Sequence, residues 1–142
     1  MRAYERLLKY VVVRTPSLAN QDTVPSLPGQ WDLAKMLVEE LKGLGLADAY
    51  VDDKCYVYAS LPATPGYEDR AKLGLSAHLD TIWDFRDNPV VPRVIENYDG
   101  GDVVLGASGL TLTEKDFPEL PSMKGQTLIV TDGNSELGAD DK

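Results

Sequence analysis

The chain is poorest in the residues that chemistry most often uses. Its 142 residues contain one histidine and one cysteine, with two tryptophans and two phenylalanines. A lone Cys55 cannot close an internal disulfide, and a single imidazole leaves little room for a multi-histidine site. Basic residues are also few: 14 against 23 acidic ones, a net charge of −9. So acidic a surface repels phosphate backbones, which argues against nucleic-acid binding, and it suits metal cations instead. Long apolar runs are missing too. Stretches such as Tyr10–Val13 fall far short of the roughly 20 residues that a membrane helix needs. With no signal-peptide pattern at Met1–Glu5 and no cysteine pair, the expected location is the cytoplasm.

What is present is ordinary for a globular chain: 43% hydrophobic and 26% charged residues, with a length that allows one domain at most. Tyr4, Leu7, Leu8 and Val11 follow helical spacing and predict a helix over 2–13 that Pro16 ends. Residues 15–29, with Pro16, Pro25, Pro28 and Gly29, read as a loop. A second helix carries Trp31, Ala34, Leu37, Val38 and Leu41 as a core-facing stripe. Asp32, Lys35, Glu39 and Lys42 lie off it, and Gly43 and Gly45 close it.

Strand signals follow at 56–61, 72–77, 102–105 and 127–131, with a hairpin-type turn at Asp132-Gly133 and a short strand near Leu137. The pattern predicts an α/β fold, a mixed sheet with the helices packed on one face.

Two segments can carry chemistry. In Ser76-Ala77-His78-Leu79-Asp80-Thr81 the histidine follows an apolar strand, at the edge where α/β sheets gather ligands. His78 and Asp80, two residues apart, project to one side of an extended backbone. Asp80 is then placed to accept a hydrogen bond from one ring nitrogen while the other meets a metal. Read alone, the pair is equally a turn after a strand. The second segment, Leu137-Gly138-Ala139-Asp140-Asp141-Lys142, sets two carboxylates side by side, a repulsion that a divalent cation would offset. Read alone, it is better taken as a solvated acidic tail.

Taken together the segments resemble the M20 family of dinuclear zinc peptidases, and within it the peptidase T branch of tripeptide aminopeptidases. The resemblance rests on Ser76–Thr81 and Gly138–Lys142, and also on Gly29-Gln30-Trp31, Ser60–Ala63, Val94–Tyr98 with Gly100–Asp102, Gly125–Ile129 and Thr131–Gly133. It implies that His78 is a zinc ligand, that Asp80 is the catalytic-site carboxylate orienting it, and that Asp140 bridges two zinc ions. Asp141 would follow a strained cis peptide bond.

The resemblance also implies chains of roughly four hundred residues, with a base glutamate, further acidic ligands and a second histidine ligand that this sequence lacks. Residues 1–142 are therefore expected to be the N-terminal portion of a peptidase catalytic domain, without its C-terminal half and inserted lid domain. Its parent would release the first residue of short peptides. The chain alone is expected to be inactive, to bind zinc weakly and to self-associate. The alternatives are a non-enzymatic α/β interaction module, or another activity of the same family such as a carboxypeptidase or deacylase.

Overall fold

The computed structural model describes residues 1–83 and 89–139. In chain order the elements are α1 (Ala3–Tyr10), α2 (Gly29–Gly43), β1 (Tyr50–Val51), β2 (Val57–Tyr58), β3 (Arg93–Ile95), β4 (Val103–Leu105), β5 (Leu110–Leu112) and β6 (Leu128–Val130). Short 3₁₀ turns lie at Gly106–Ser108 and Leu120–Met123. The described chain forms two compact units, Thr15–Trp83 and Met1–Arg14 together with 89–139.

The Thr15–Trp83 unit is organised by α2, whose inner face is set by helical periodicity. Leu33, Ala34 and Val38 are buried on it, and Gln30 joins them from the first turn. Asp32, Lys35, Glu39 and Lys42 are exposed, as their spacing predicts. The helix ends in a Schellman motif. The Gly45 amide donates to the Lys42 carbonyl at 2.9 Å and the Leu46 amide to the Leu41 carbonyl at 3.1 Å. This requires φ of +97° at Gly45, which a side chain would oppose.

The helix packs against β1 and β2, an antiparallel pair with Tyr50 opposite Tyr58 and Val51 opposite Val57. The rings of Tyr50 and Tyr58 stack with centroids 5.3 Å apart. The Asp52 carboxylate holds the connecting turn, accepting from the Lys54 and Tyr56 amides at 2.9 Å each. β2 is shorter than the predicted 56–61, because by Ser60 the backbone amide donates to the Asp48 carboxylate at 3.1 Å.

In the other unit, β3 pairs with β6 (Val94 opposite Ile129) and β4 with β5 (Val104 opposite Thr111), both antiparallel. Tyr98, Val103, Leu105 and Leu120 form its core, with Ile95, Leu112, Met123, Leu128 and Val130 packed around them. Tyr98 is the hub. Its amide donates to the Gln126 carbonyl, its carbonyl accepts from the Gly125 amide, and its hydroxyl donates to the Gly101 carbonyl. Gly133 approaches the Leu105–Ser108 turn so closely that a Cβ would lie 3.1 Å from Leu105 Cβ.

The mixed helix-and-strand content agrees with the α/β class, and the helical spans agree closely, with α1 shorter than predicted at both ends. Three strand expectations need correction. Among the described residues the strands form three separate antiparallel pairs, each strand with one neighbour, whereas a common sheet needs strands paired on both edges. Residues 72–77 form no strand and are fully exposed, because no described backbone lies alongside to make a ladder. No strand follows at Leu137. Asp132 accepts from the Asn134 amide at 3.0 Å and from its side-chain amide at 2.9 Å, and β6 already has β3 as its partner.

Burial, and then the charges of Asp99 and Asp102, push the Tyr98 phenol above its ordinary value. The folded chain thus holds this proton to higher pH than the unfolded chain. The stabilisation is complete below about pH 10 and is lost as pH rises beyond it. Tyr98→Phe is expected to cost about 1 kcal/mol near neutral pH, through the lost bond to Gly101. It should also shallow the alkaline decline in melting temperature, measured by circular dichroism between pH 8 and 11.

Candidate metal site at His78

The site begins with a buried polar clamp. Gln30, in the first turn of α2, donates from Nε2 to the Pro16 carbonyl at 3.0 Å. Buried amide groups must be paired, so this bond fixes the path of residues 15–17 against the helix. Those residues in turn grip Thr81. The Thr81 amide donates to the Thr15 carbonyl and the Ser17 amide to the Thr81 carbonyl, both at 2.9 Å, making a parallel bridge.

From Thr81 the chain runs back through Asp80 to His78. Nδ1 of His78 lies 3.1 Å from Oδ1 of Asp80. A carboxylate only accepts, so Nδ1 carries the proton and the lone pair of the neutral ring is on Nε2, the tautomer a metal-binding imidazole needs. Both side chains are partly open, His78 at 59% and Asp80 at 41%.

Burial works to raise the Asp80 carboxyl, but hydrogen bonds from Ser17 and His78 outweigh it and hold the group below the usual carboxylate range. It is therefore an anion at neutral pH, as the orientation of His78 requires. The Ser17 hydroxyl also lies 3.3 Å from the Thr81 carbonyl oxygen.

The structure thus brings two of the sequence-predicted site residues together, His78 and Asp80. Asp140 and Asp141 lie outside the described residues, as does Lys142 of the same segment. Among the described residues no group of three or more histidine, cysteine, aspartate or glutamate side chains is placed to hold a metal ion. One imidazole nitrogen oriented by a carboxylate is nonetheless a donor of the type that zinc takes. Cys55 is buried, and desolvation followed by the charge of Asp52 raises its thiol above the ordinary value, which makes it a packing residue and not a nucleophile. No described helix is long and apolar enough to cross a membrane.

Sequence reasoning did not assign roles to Ser17 and Gln30, the residues that set where His78 and Asp80 stand. The available signal was a glutamine at a stripe position of α2, one turn before Leu33 and Ala34, where a polar side chain must have found a buried partner.

No family model matches the chain. Individual sequences do. The chain is 51% identical over 139 residues to a protein named peptidase T from Geobacillus sp. (strain WCH70). It is likewise 51% identical to the peptidase T of Geobacillus thermodenitrificans (strain NG80-2), and 48% identical to that of Bacillus mycoides (strain KBAB4). Each match covers 97% of this chain and 34% of the relative. The chain is similar to these proteins named peptidase T and spans about a third of their length.

Gln30→Ala removes a buried bond and orphans the Pro16 carbonyl, at an expected cost of about 1–3 kcal/mol. Thr81 should loosen with it. Hydrogen exchange at the Thr81 and Ser17 amides is expected to quicken while the Tyr98 amide keeps its protection.

Proposed function

We propose that this chain supplies part of the metal centre of a zinc-dependent aminopeptidase of the M20 type, acting on short peptides with a free amino terminus, tripeptides above all. Two things support the reading: the His78–Asp80 pair held in the metal-binding tautomer, and half identity to peptidase T across nearly the whole chain. The first is the observation that carries the zinc chemistry.

In this reading His78, through Nε2, and Asp140, through its carboxylate, would be among the residues that hold the zinc ions. A zinc pair supplies Lewis acidity that polarises the scissile carbonyl and acidifies a water. The chain's own residues do the positioning. Asp80 keeps the proton on Nδ1, fixes the ring plane and raises the basicity of Nε2. Ser17 shares the charge of Asp80, and the Thr15–Ser17 clamp on Thr81 fixes the backbone beside the pair. Exchanging the 139 matched residues of the Geobacillus thermodenitrificans peptidase T for those of this chain is expected to leave tripeptide cleavage intact. His78→Ala in the exchanged enzyme should abolish it. An inactive exchange that folds and binds zinc would defeat the aminopeptidase reading.

With one histidine in 142 residues, and zinc catalytic sites normally built from three protein ligands, the chain by itself binds zinc weakly and hydrolyses nothing. The sole imidazole makes this directly measurable by NMR. Zinc should shift the His78 ring signals with low affinity, and Asp80→Asn should weaken that binding by about 10–100-fold. Tripeptide cleavage by the 142-residue chain would contradict it. The chain also associates with itself, because single-partner strands and exposed apolar side chains leave edges and faces uncovered.

A further inference from the structure

The bridge that seats Thr81 also decides which side chains share a face. Thr81 bonds both Thr15 and Ser17, the parallel pattern in which Pro16 stands opposite Thr81. Side chains alternate along extended chain, so Thr15 and Ser17 lie on the face that Pro16 and Thr81 do not take. Asp80, one residue from Thr81, falls on that same face, and His78 joins it two residues further back. The register therefore sets Ser17, Asp80 and His78 in one row.

Ser17 has one hydroxyl proton to give, and two acceptors stand near it. The Thr81 carbonyl oxygen is 3.3 Å from Oγ, a long contact, and it already receives the Ser17 amide at 2.9 Å. The Asp80 carboxylate is charged, and bonds to a charged acceptor are roughly twice as strong as neutral ones. It accepts from the Ser17 side chain, so the proton goes to Asp80 while the Thr81 carbonyl keeps its amide donor. A carboxylate held by the imidazole alone is free to turn, because the last torsion of aspartate is broad and two-fold. The Asp80 side chain is 41% exposed, so packing does not stop that rotation. A second donor does. Ser17 is a fixed donor: its amide is bonded across the bridge, and the neighbouring Pro16 carbonyl is held by the buried Gln30.

We propose that Ser17 is a positioning residue of the zinc site, its hydroxyl fixing the Asp80 carboxylate in the rotation that keeps the His78 proton on Nδ1. This role rests on the zinc reading for its consequence, whereas the hold on Asp80 is tested without metal. Ser17→Ala deletes the hydroxyl and spares the amide, so the melt and the hydrogen exchange of the Ser17 and Thr81 amides should not change. NMR of the ring nitrogens with EDTA present, at about pH 8 and so above the ordinary histidine value near 6.5, reads the neutral ring directly. Ser17→Ala should lower the share of His78 rings protonated on Nδ1. Zinc alone should then bind several-fold more weakly, a smaller loss than the roughly 10–100-fold expected of Asp80→Asn. Ser17→Thr, which keeps the hydroxyl, should restore both.

A Ser17→Ala chain with the parent's tautomer balance and zinc affinity overturns the proposal and leaves the zinc reading standing. So does a loss that Ser17→Thr fails to restore, or one accompanied by rapid exchange at the Thr81 amide, since either makes the serine a structural residue. If zinc leaves the His78 ring of the unaltered chain unmoved, the zinc reading falls and takes the part of Ser17 in a metal site with it. The tautomer comparison then still decides whether the hydroxyl holds Asp80.

Discussion

The grip of Thr15–Ser17 on Thr81 is the constraint on which the candidate site depends. Two backbone hydrogen bonds of 2.9 Å join segments more than sixty residues apart, and a buried glutamine side chain on α2 holds one of them in place. Asp80 stands next to the gripped residue, and its carboxylate orients the only imidazole of the chain. Geometry is thus transmitted from a helix through a loop to a ring nitrogen.

The two compact units show different solutions to having little sheet. In the Thr15–Trp83 unit one amphipathic helix buries Leu33, Ala34 and Val38 over a two-residue ladder that Asp52 and tyrosine stacking reinforce. In the unit with residues 89–139, two strand pairs share a core around Tyr98, whose backbone and hydroxyl together make three bonds. Among the described residues, neither has a strand with partners on both sides. Segments such as 70–80 carry the composition of a strand without a described neighbour that would make one.

Helices were the most legible elements because their signal is local. The spacing of Trp31, Ala34, Leu37, Val38 and Leu41 and the glycine at 45 specify α2 and its terminus from contacts within a few residues. The His78–Asp80 bond was legible for the same reason, since residues two apart in extended chain share a side. Strand pairing depends on distant residues. That is why 72–77 read as a strand and is none, and why the turn at Asp132 closes on its own side chain without starting a hairpin.

The sequence by itself determined the helical faces, the acidic balance, the sole histidine and its neighbouring carboxylate, and the likeness to peptidase T, all of which are properties of composition or short-range spacing. Only the tertiary structure decided that Ser17 and Gln30 support that carboxylate, that the strands associate as three separate pairs, and that Leu73 and Leu75 lie open. These depend on which distant backbone groups find each other, and hydrogen-bond partners across sixty residues leave no periodic trace in the chain that joins them.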